Sequence, residues 1–242
     1  MCSVQSFLPE KLFYFLARED GCKKRICRGA RNNLTSVLFS PVLKQSLCMT
    51  SEIDLLRNTV EAICPLSAED WEAFSQSWKR RKVKRKQVVT VAGQQENYLY
   101  FVVGGVQRVF HLDDQGREAT ILFTYAPSFG GVVDAFLLQQ PSKYYYETLT
   151  NSVLLQLSIH ELSRIMKERP SIEAFIRKAL SISLSGLLER IVDLQCYTSE
   201  EKFKKLLHRS PHILQLVPHK YLASYLGIDA TNFSKLINSV RI

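Results

Sequence analysis

Gly227 divides the last twenty-six residues, Val217 to Ile242, into two short helical patterns, and few folds accept that arrangement. Upstream, Pro218 suits a first helical turn, where its missing N–H costs nothing. Tyr221, Leu222, Tyr225 and Leu226 then fall on one helical face. Glycine reaches the left-handed conformation without strain, so Gly227 ends this helix. Asp229 is placed to cap a second helix by accepting from its free N–H groups. There Phe233, Leu236, Ile237 and Val240 repeat at i, i+3, i+4 and i+7, an apolar stripe. Ala223, four residues before the glycine, is small enough to let two helices cross closely. The pattern predicts two short helices at a steep angle, a helix-turn-helix.

Such a unit exposes Thr231, Asn232, Ser234, Lys235 and Asn238 on its second helix. Short donors and acceptors with one cation suit base edges and phosphates in a major groove. Lys220, Ser224 and Tyr225 on the first helix are candidates for holding the DNA backbone. A helical hairpin inside an ordinary core would satisfy the same apolar spacing, so the preceding residues must decide.

A chain of 242 residues allows two modest domains or one large one. The net charge of +9 favours an anionic partner. That charge is unevenly placed, because residues 1–48 hold eight lysines and arginines against three acids. Four of the six cysteines, Cys2, Cys22, Cys27 and Cys48, lie in the same stretch. There is no CxxC and no His/Cys grouping with zinc spacing, so no metal or other cofactor is expected. No apolar run approaches eighteen residues and the N-terminus lacks signal-peptide order. These features predict a cytoplasmic protein without a membrane partner. Residues 1–48 show no clear period. We expect them to be an unfolded extension ahead of a true start at Met49; a basic arm touching DNA or an acidic partner is the alternative.

Ser51 and Asp54 have capping-box-like spacing before an amphipathic helix carrying Ile53, Leu56, Val60 and Ile63. A second helix starts after Ser67 and runs into Lys79-Arg80-Arg81-Lys82 and Lys84-Arg85-Lys86. This cationic run is read as a solvated strand edge or loop leading into a sheet, with nucleic-acid contact as the alternative. Beyond Gln87 the period changes to two. Short apolar runs at Val88–Val91, Tyr98–Val103, Val106–Phe110, Ala119–Tyr125, Lys143–Leu149 and Val153–Ser158 are separated by turn residues, which predicts an antiparallel barrel or sandwich. Asp114-Gln115-Gly116 is a hairpin signal. Short helices are expected over Val132–Leu138 and His160–Lys167. The longest periodic run, from Ser171 to about Cys196, carries Ile172, Ile176, Leu180, Leu184, Leu187, Ile191 and Leu194. So broad an apolar arc needs cover from two sides, the barrel and a partner chain. Tyr197–Arg209 is a further helix.

A small barrel, a long helix and a C-terminal helix-turn-helix resemble the layout of the Crp/Fnr family of bacterial transcription regulators over about residues 51–242. Tyr98-Leu99-Tyr100-Phe101-Val102-Val103-Gly104-Gly105-Val106 is similar to a barrel strand of that family. Phe129-Gly130-Gly131 stands where the family has Phe-Gly-Glu. His219-Lys220-Tyr221-Leu222-Ala223-Ser224-Tyr225-Leu226-Gly227-Ile228 resembles its helix-turn-helix, the most specific match. The resemblance implies an α+β fold: a cyclic-nucleotide-binding-like β-barrel (jelly roll), a long dimerisation helix and a winged-helix-type helix-turn-helix domain. It implies the divisions 1–48, 49–168, 169–196 and 197–242. It also implies a homodimer on a palindromic operator in double-stranded DNA, with RNA polymerase as a candidate partner. Little chain follows Val240, so no long C-terminal wing is expected.

The departures alter the expectation. Family members that bind cyclic nucleotides use the Glu of Phe-Gly-Glu on the ribose and an Arg on the phosphate. Here Gly131 replaces the Glu, and Pro141-Ser142-Lys143-Tyr144-Tyr145-Tyr146 holds no Arg. A lone Lys does not supply the bidentate clamp of a guanidinium. The effector pocket, bounded by Phe129, Gly130, Gly131, Ser142, Lys143 and Tyr144, is therefore expected to take a different small molecule or none, and not cAMP. In the second helix Thr231 replaces the family's usual Glu, so the preferred half-site should differ. The alternative is a barrel that acts as a protein-interaction module and no longer reads DNA. No nucleophile–base set, metal motif or phosphate loop supports an enzyme.

Overall fold

The structure, a computed structural model, describes residues 41–239, with side chains from residue 52 onward. Two helices come first: α1 (Pro41–Ile63) and α2 (Ala68–Gln76). Eight strands follow: β1 (Lys79–Val83), β2 (Val88–Thr90), β3 (Tyr98–Gly104), β4 (Val106–Leu112), β5 (Glu118–Tyr125), β6 (Ser128–Gly130), β7 (Tyr145–Thr148) and β8 (Ser152–Ser158). Helix α3 (Val133–Leu138) interrupts them after β6. The chain then becomes helical: α4 (Ile159–Glu168), α5 (Pro170–Cys196), α6 (Ser199–Arg209), α7 (Ile213–Leu216), α8 (His219–Leu226) and α9 (Ala230–Ser239).

The strands form two four-stranded sheets, in the orders β1-β8-β3-β6 and β2-β7-β4-β5, with antiparallel pairing throughout. This is the expected jelly-roll barrel, built as a sandwich whose inner faces meet at Val83, Tyr100, Val102, Val109, Tyr146 and Leu154. The chain adds β1 and β6 to the strands read from apolar runs. Strand β1 is the cationic run itself; only Val83 is buried, so the signal there came from register against β8 rather than from hydrophobicity.

A second core lies outside the first sheet. Leu56, Val60 and Ile63 of α1 pack with Trp71, Phe74, Phe101, Phe129, Phe136, Leu162, Ile165, Ile172 and Phe175. The periodic face expected for α1 is thus the face that is buried. Its start differs, because α1 runs from Pro41 through Ser51, which stands inside the helix rather than capping it. Residues 1–40, with most of the expected extension, lie outside the described residues. Ser67 does cap α2, accepting from the Asp70 N–H at 3.1 Å.

Helix α5 is covered in its first turns and again around Asp193, with a bare apolar side between. Ile172 and Phe175 are fully buried, whereas Leu184, Leu188 and Ile191 stand 58%, 56% and 49% exposed. Asp193 near its end is buried and pairs with Lys205 at 2.7 Å and Arg209 at 3.0 Å of α6. Those bonds fix the angle at which α6 leaves the long helix. Thr198 and Glu201 close a capping box at the start of α6. Among the described residues no strand follows β8, and the C-terminal unit described is helical.

Candidate functional site

The C-terminal unit folds around Phe203, Leu206, Leu207, Ile213, Val217, Leu222, Ala223, Leu226, Phe233 and Leu236. Gly227 ends α8 at φ 64°, ψ 37°. Asp229 Oδ1 accepts from the Asn232 N–H at 2.8 Å, the cap expected from the sequence and worth about 1 kcal/mol. With Phe233 and Leu236 inward, Thr231, Ser234, Lys235 and Asn238 lie on the opposite, exposed face of α9, and Asn232 at its margin is half-buried. Val240 of the expected stripe lies outside the described residues. Lys220 is exposed at the start of α8.

Ser224 and Tyr225 are placed otherwise than expected. Helix α8 rests on the sandwich, and the Thr120 N–H of β5 donates to Ser224 Oγ at 2.9 Å. Tyr225 is buried, with its ring 5.2 Å from that of Phe123. On its other side Arg190 of α5 lies over the ring and donates to the Tyr225 carbonyl. These two side chains bind the helical unit to β5 and α5, so neither stands free on the exposed surface.

The centre of that joint is Arg108, a residue the sequence gave no reason to single out. It sits on β4 between the rings of Phe110 and Tyr221, at 4.0 and 3.8 Å. It pairs with Glu118 at 2.7 Å and Glu147 at 3.2 Å while only 2% exposed. Two carboxylates and two rings offset the burial of this guanidinium, although its Nε–H has no hydrogen-bond partner.

The sandwich interior is occupied by two tyrosines. Tyr100 of β3 and Tyr146 of β7 face each other with ring centroids 5.7 Å apart. Tyr146 Oη is within 3.0 Å of Thr124 Oγ1, which donates to Gln107 Oε1 at 3.0 Å; Gln107 Nε2 then reaches Ser152 Oγ at 2.8 Å. Tyr100 Oη donates to Glu96 at 3.4 Å, and Glu96 also accepts from Thr90 and from the Tyr98 N–H. Burial pushes the Glu96 carboxyl and both phenols upward from their ordinary values, because it disfavours the charged form of each.

The glycines make room for this pair. A Cβ on Gly130 would stand 2.6 Å from Tyr146 Oη, and one on Gly131 would stand 2.9 Å from Tyr100 Cδ2. Gly131 also holds φ at 101°, where side chains are strained. Of the six residues expected to bound an effector pocket, only these two lie against the interior, with Tyr144 packed at its rim. Phe129 belongs to the outer core against Phe101 and Phe175. Ser142 is buried and turns back on the Tyr144 backbone, and Lys143 points to solvent. These six therefore do not gather into one site. A small apolar groove opens elsewhere, between α3, α4 and α5, and its lining includes Phe136, Phe175, Leu180 and Ser183.

Residues 80–169 match the family described as Cyclic nucleotide-binding domain. No curated protein matches the chain. Solved structures with the same fold include FixK2 from Bradyrhizobium japonicum, at 14% identity and a TM-score of 0.59 over 66% of this chain and 83% of that one. The c-di-GMP responsive global regulator CLP from Xanthomonas campestris is similar at 19% identity and a TM-score of 0.57, covering 71% of this chain and 90% of its own. A protein from Eubacterium rectale described as a transcriptional regulator of the crp/fnr family aligns at 15% identity and a TM-score of 0.57, over 72% and 82%. The resemblance read from the sequence is thus matched by fold: a cyclic-nucleotide-binding sandwich and long helix shared with Crp/Fnr regulators.

Proposed function

We propose that this chain, with its cyclic nucleotide-binding sandwich and the fold of Crp/Fnr transcription regulators, is itself a homodimeric, cytoplasmic, sequence-specific DNA-binding regulator. The observation that carries the reading is α9: its apolar side is buried on the helical core while Thr231, Ser234, Lys235 and Asn238 face outward as one polar strip. That strip has the donors, acceptors and single cation with which a recognition helix reads base edges. Lys220 at the start of α8 supplies a backbone contact. The exposed Leu184, Leu187, Leu188, Ile191 and Val192 on α5 form a seam for a second copy of the same helix. Two α9 helices about a two-fold axis would enter successive major grooves about 34 Å apart.

The sandwich in this reading works without a cyclic nucleotide. Gly131 offers no carboxylate to a ribose, no Arg stands near Lys143, and Tyr100 with Tyr146 fills the interior between the sheets. A nucleotide would have to break the Tyr146–Thr124–Gln107–Ser152 chain before making any contact of its own. Selection of bound duplexes from a random pool, with nucleotide-free full-length protein at near-physiological salt, tests the proposal. Enrichment of an inverted repeat supports it; recovery of no motif contradicts it.

A further inference from the structure

Within its sheet β5 lies at an edge, paired with β4 on one side only. An edge strand leaves N–H and C=O groups without ladder partners. Helix α8 covers this edge, and Ser224 meets it twice. Its Oγ accepts from the Thr120 N–H at 2.9 Å and donates to the Glu118 carbonyl at 3.4 Å. One hydroxyl thus stands in for a neighbouring strand at that point. The register of β4 against β5 slips between Val109 and Phe110, whose partner is Thr120. Such a bulge bends the strand and disrupts its ladder, and it sits where Ser224 arrives.

Further contacts fix the angle of α8 on this edge. Tyr221 holds its ring 3.8 Å from the Arg108 guanidinium carbon, and Lys220 Nζ lies 4.6 Å from the centre of the same ring. Tyr125 Oη of β5 is within 2.8 Å of Ser210 Oγ at the end of α6. Val106, Phe123 and Leu149 of the sandwich share one core with Leu222 of α8 and Phe233 of α9. Helix α9 therefore cannot turn against the sandwich without opening that core. A unit tied only to the end of a long helix pivots about it. This unit is tied to α5 through Asp193 and to β5 through α8, and two anchorages remove the pivot. An inserted base pair moves a DNA half-site by about 3.4 Å and turns it by about 34°, so a rigid pair of α9 helices meets it only if the duplex untwists.

We infer that Tyr221 and Ser224 are positioning residues for DNA recognition: seated on Arg108 and on the edge of β5, they fix the spacing between half-sites that the dimer accepts, while α9 chooses the half-site sequence. The inference rests on the DNA-reading function proposed above. The test uses full-length protein and the inverted repeat that selection yields, in its original form and with one base pair added or removed at the centre. The unchanged protein should bind the altered duplexes at least about tenfold more weakly, the cost of untwisting them. Tyr221→Leu and Ser224→Ala should each shrink that ratio, and the two together should bring it close to one. Tyr221→Phe keeps the ring and should keep the ratio. Base preferences within each half-site should be the same in every variant. If the double variant fails to fold, Ser224→Ala, which removes only a hydroxyl, decides by the same ratio. An undiminished ratio in the folded variants would overturn the inference, as would equal tolerance of all spacings by the unchanged protein. A rise in affinity on every duplex when the joint is weakened would also overturn it, because the joint would then be a latch holding α9 away from DNA. If the unchanged protein selects no repeat at all, the reading by α9 fails and this inference falls with it.

Discussion

Arg108 of β4 and Tyr221 of α8 lie face to face, the guanidinium carbon 3.8 Å from the ring centroid, and through them the sandwich grips the helical unit. The sheet side of that grip is Phe110, Glu118 and Glu147; the helix side continues through Ser224 and Tyr225. The orientation of α9 is thus set by side chains of β4 and β5 as well as by the long helix.

Replacing Arg108 by Ala should destabilise the protein by about 3–5 kcal/mol, since Glu147 is left buried beside an empty space. Tyr221→Ala should cost less. In a double-mutant cycle read by chemical denaturation, the pair should show a coupling of about 1–2 kcal/mol, the range for a desolvated cation–π contact. Strict additivity would mean that the stacking contributes nothing.

Restoring the family's acid at Gly131 should not restore nucleotide binding. Gly131→Glu forces a side chain toward Tyr100 at φ 101° and should cost about 1–3 kcal/mol in stability. Calorimetry with cAMP should show no binding heat for either protein. Micromolar binding by the unchanged chain would contradict the closed interior.

Glu96 gives the fold a pH dependence of definite sign. Burial raises its pKa above the ordinary 4.5, so the native state binds the proton more tightly than the unfolded state. Its contribution to stability is therefore fully present below about pH 4.5 and lost as pH rises through the native value. Glu96→Gln removes that loss. The melting temperature of the variant minus that of the unchanged protein should climb as pH increases across this window and then level. A difference that is flat with pH would rule out a raised carboxyl.

Lys235→Ala should weaken binding to the selected operator by about 1–3 kcal/mol if Lys235 reaches a base. Ser224→Ala should leave operator affinity nearly unchanged and lower stability by about 1 kcal/mol, because it strips an acceptor from the Thr120 N–H. Titration of both variants on one duplex separates the residues; the reverse order of effects would return Ser224 to the DNA.

Much of this architecture could be read from local chemistry. Gly227 and Asp229 announced the turn, because a left-handed residue and a side-chain cap are needs of the backbone itself. The face of α1 and the start of α2 followed from period and capping in the same way. What escaped the sequence depends on contacts between distant segments. Arg108 looks like any strand cation until Tyr221 arrives from more than a hundred residues away. Ser224 and Tyr225 resemble backbone-contact residues of a recognition unit, and only the packing of α8 on β5 shows them engaged by the sandwich. The interior was legible only in part. Gly131 signalled a missing acid, but the ring that fills its space belongs to Tyr100, whose strand position gave no sign of it.

In the proposed function α9 reads a specific DNA sequence with no cyclic nucleotide needed in the sandwich. Its most direct test is the ratio of affinities for the selected repeat and a shuffled duplex, measured on nucleotide-free protein at one fixed salt concentration. The expected ratio is about a thousand or more, unchanged by added cAMP. A ratio near one, or one that rises only when cAMP is present, would contradict it.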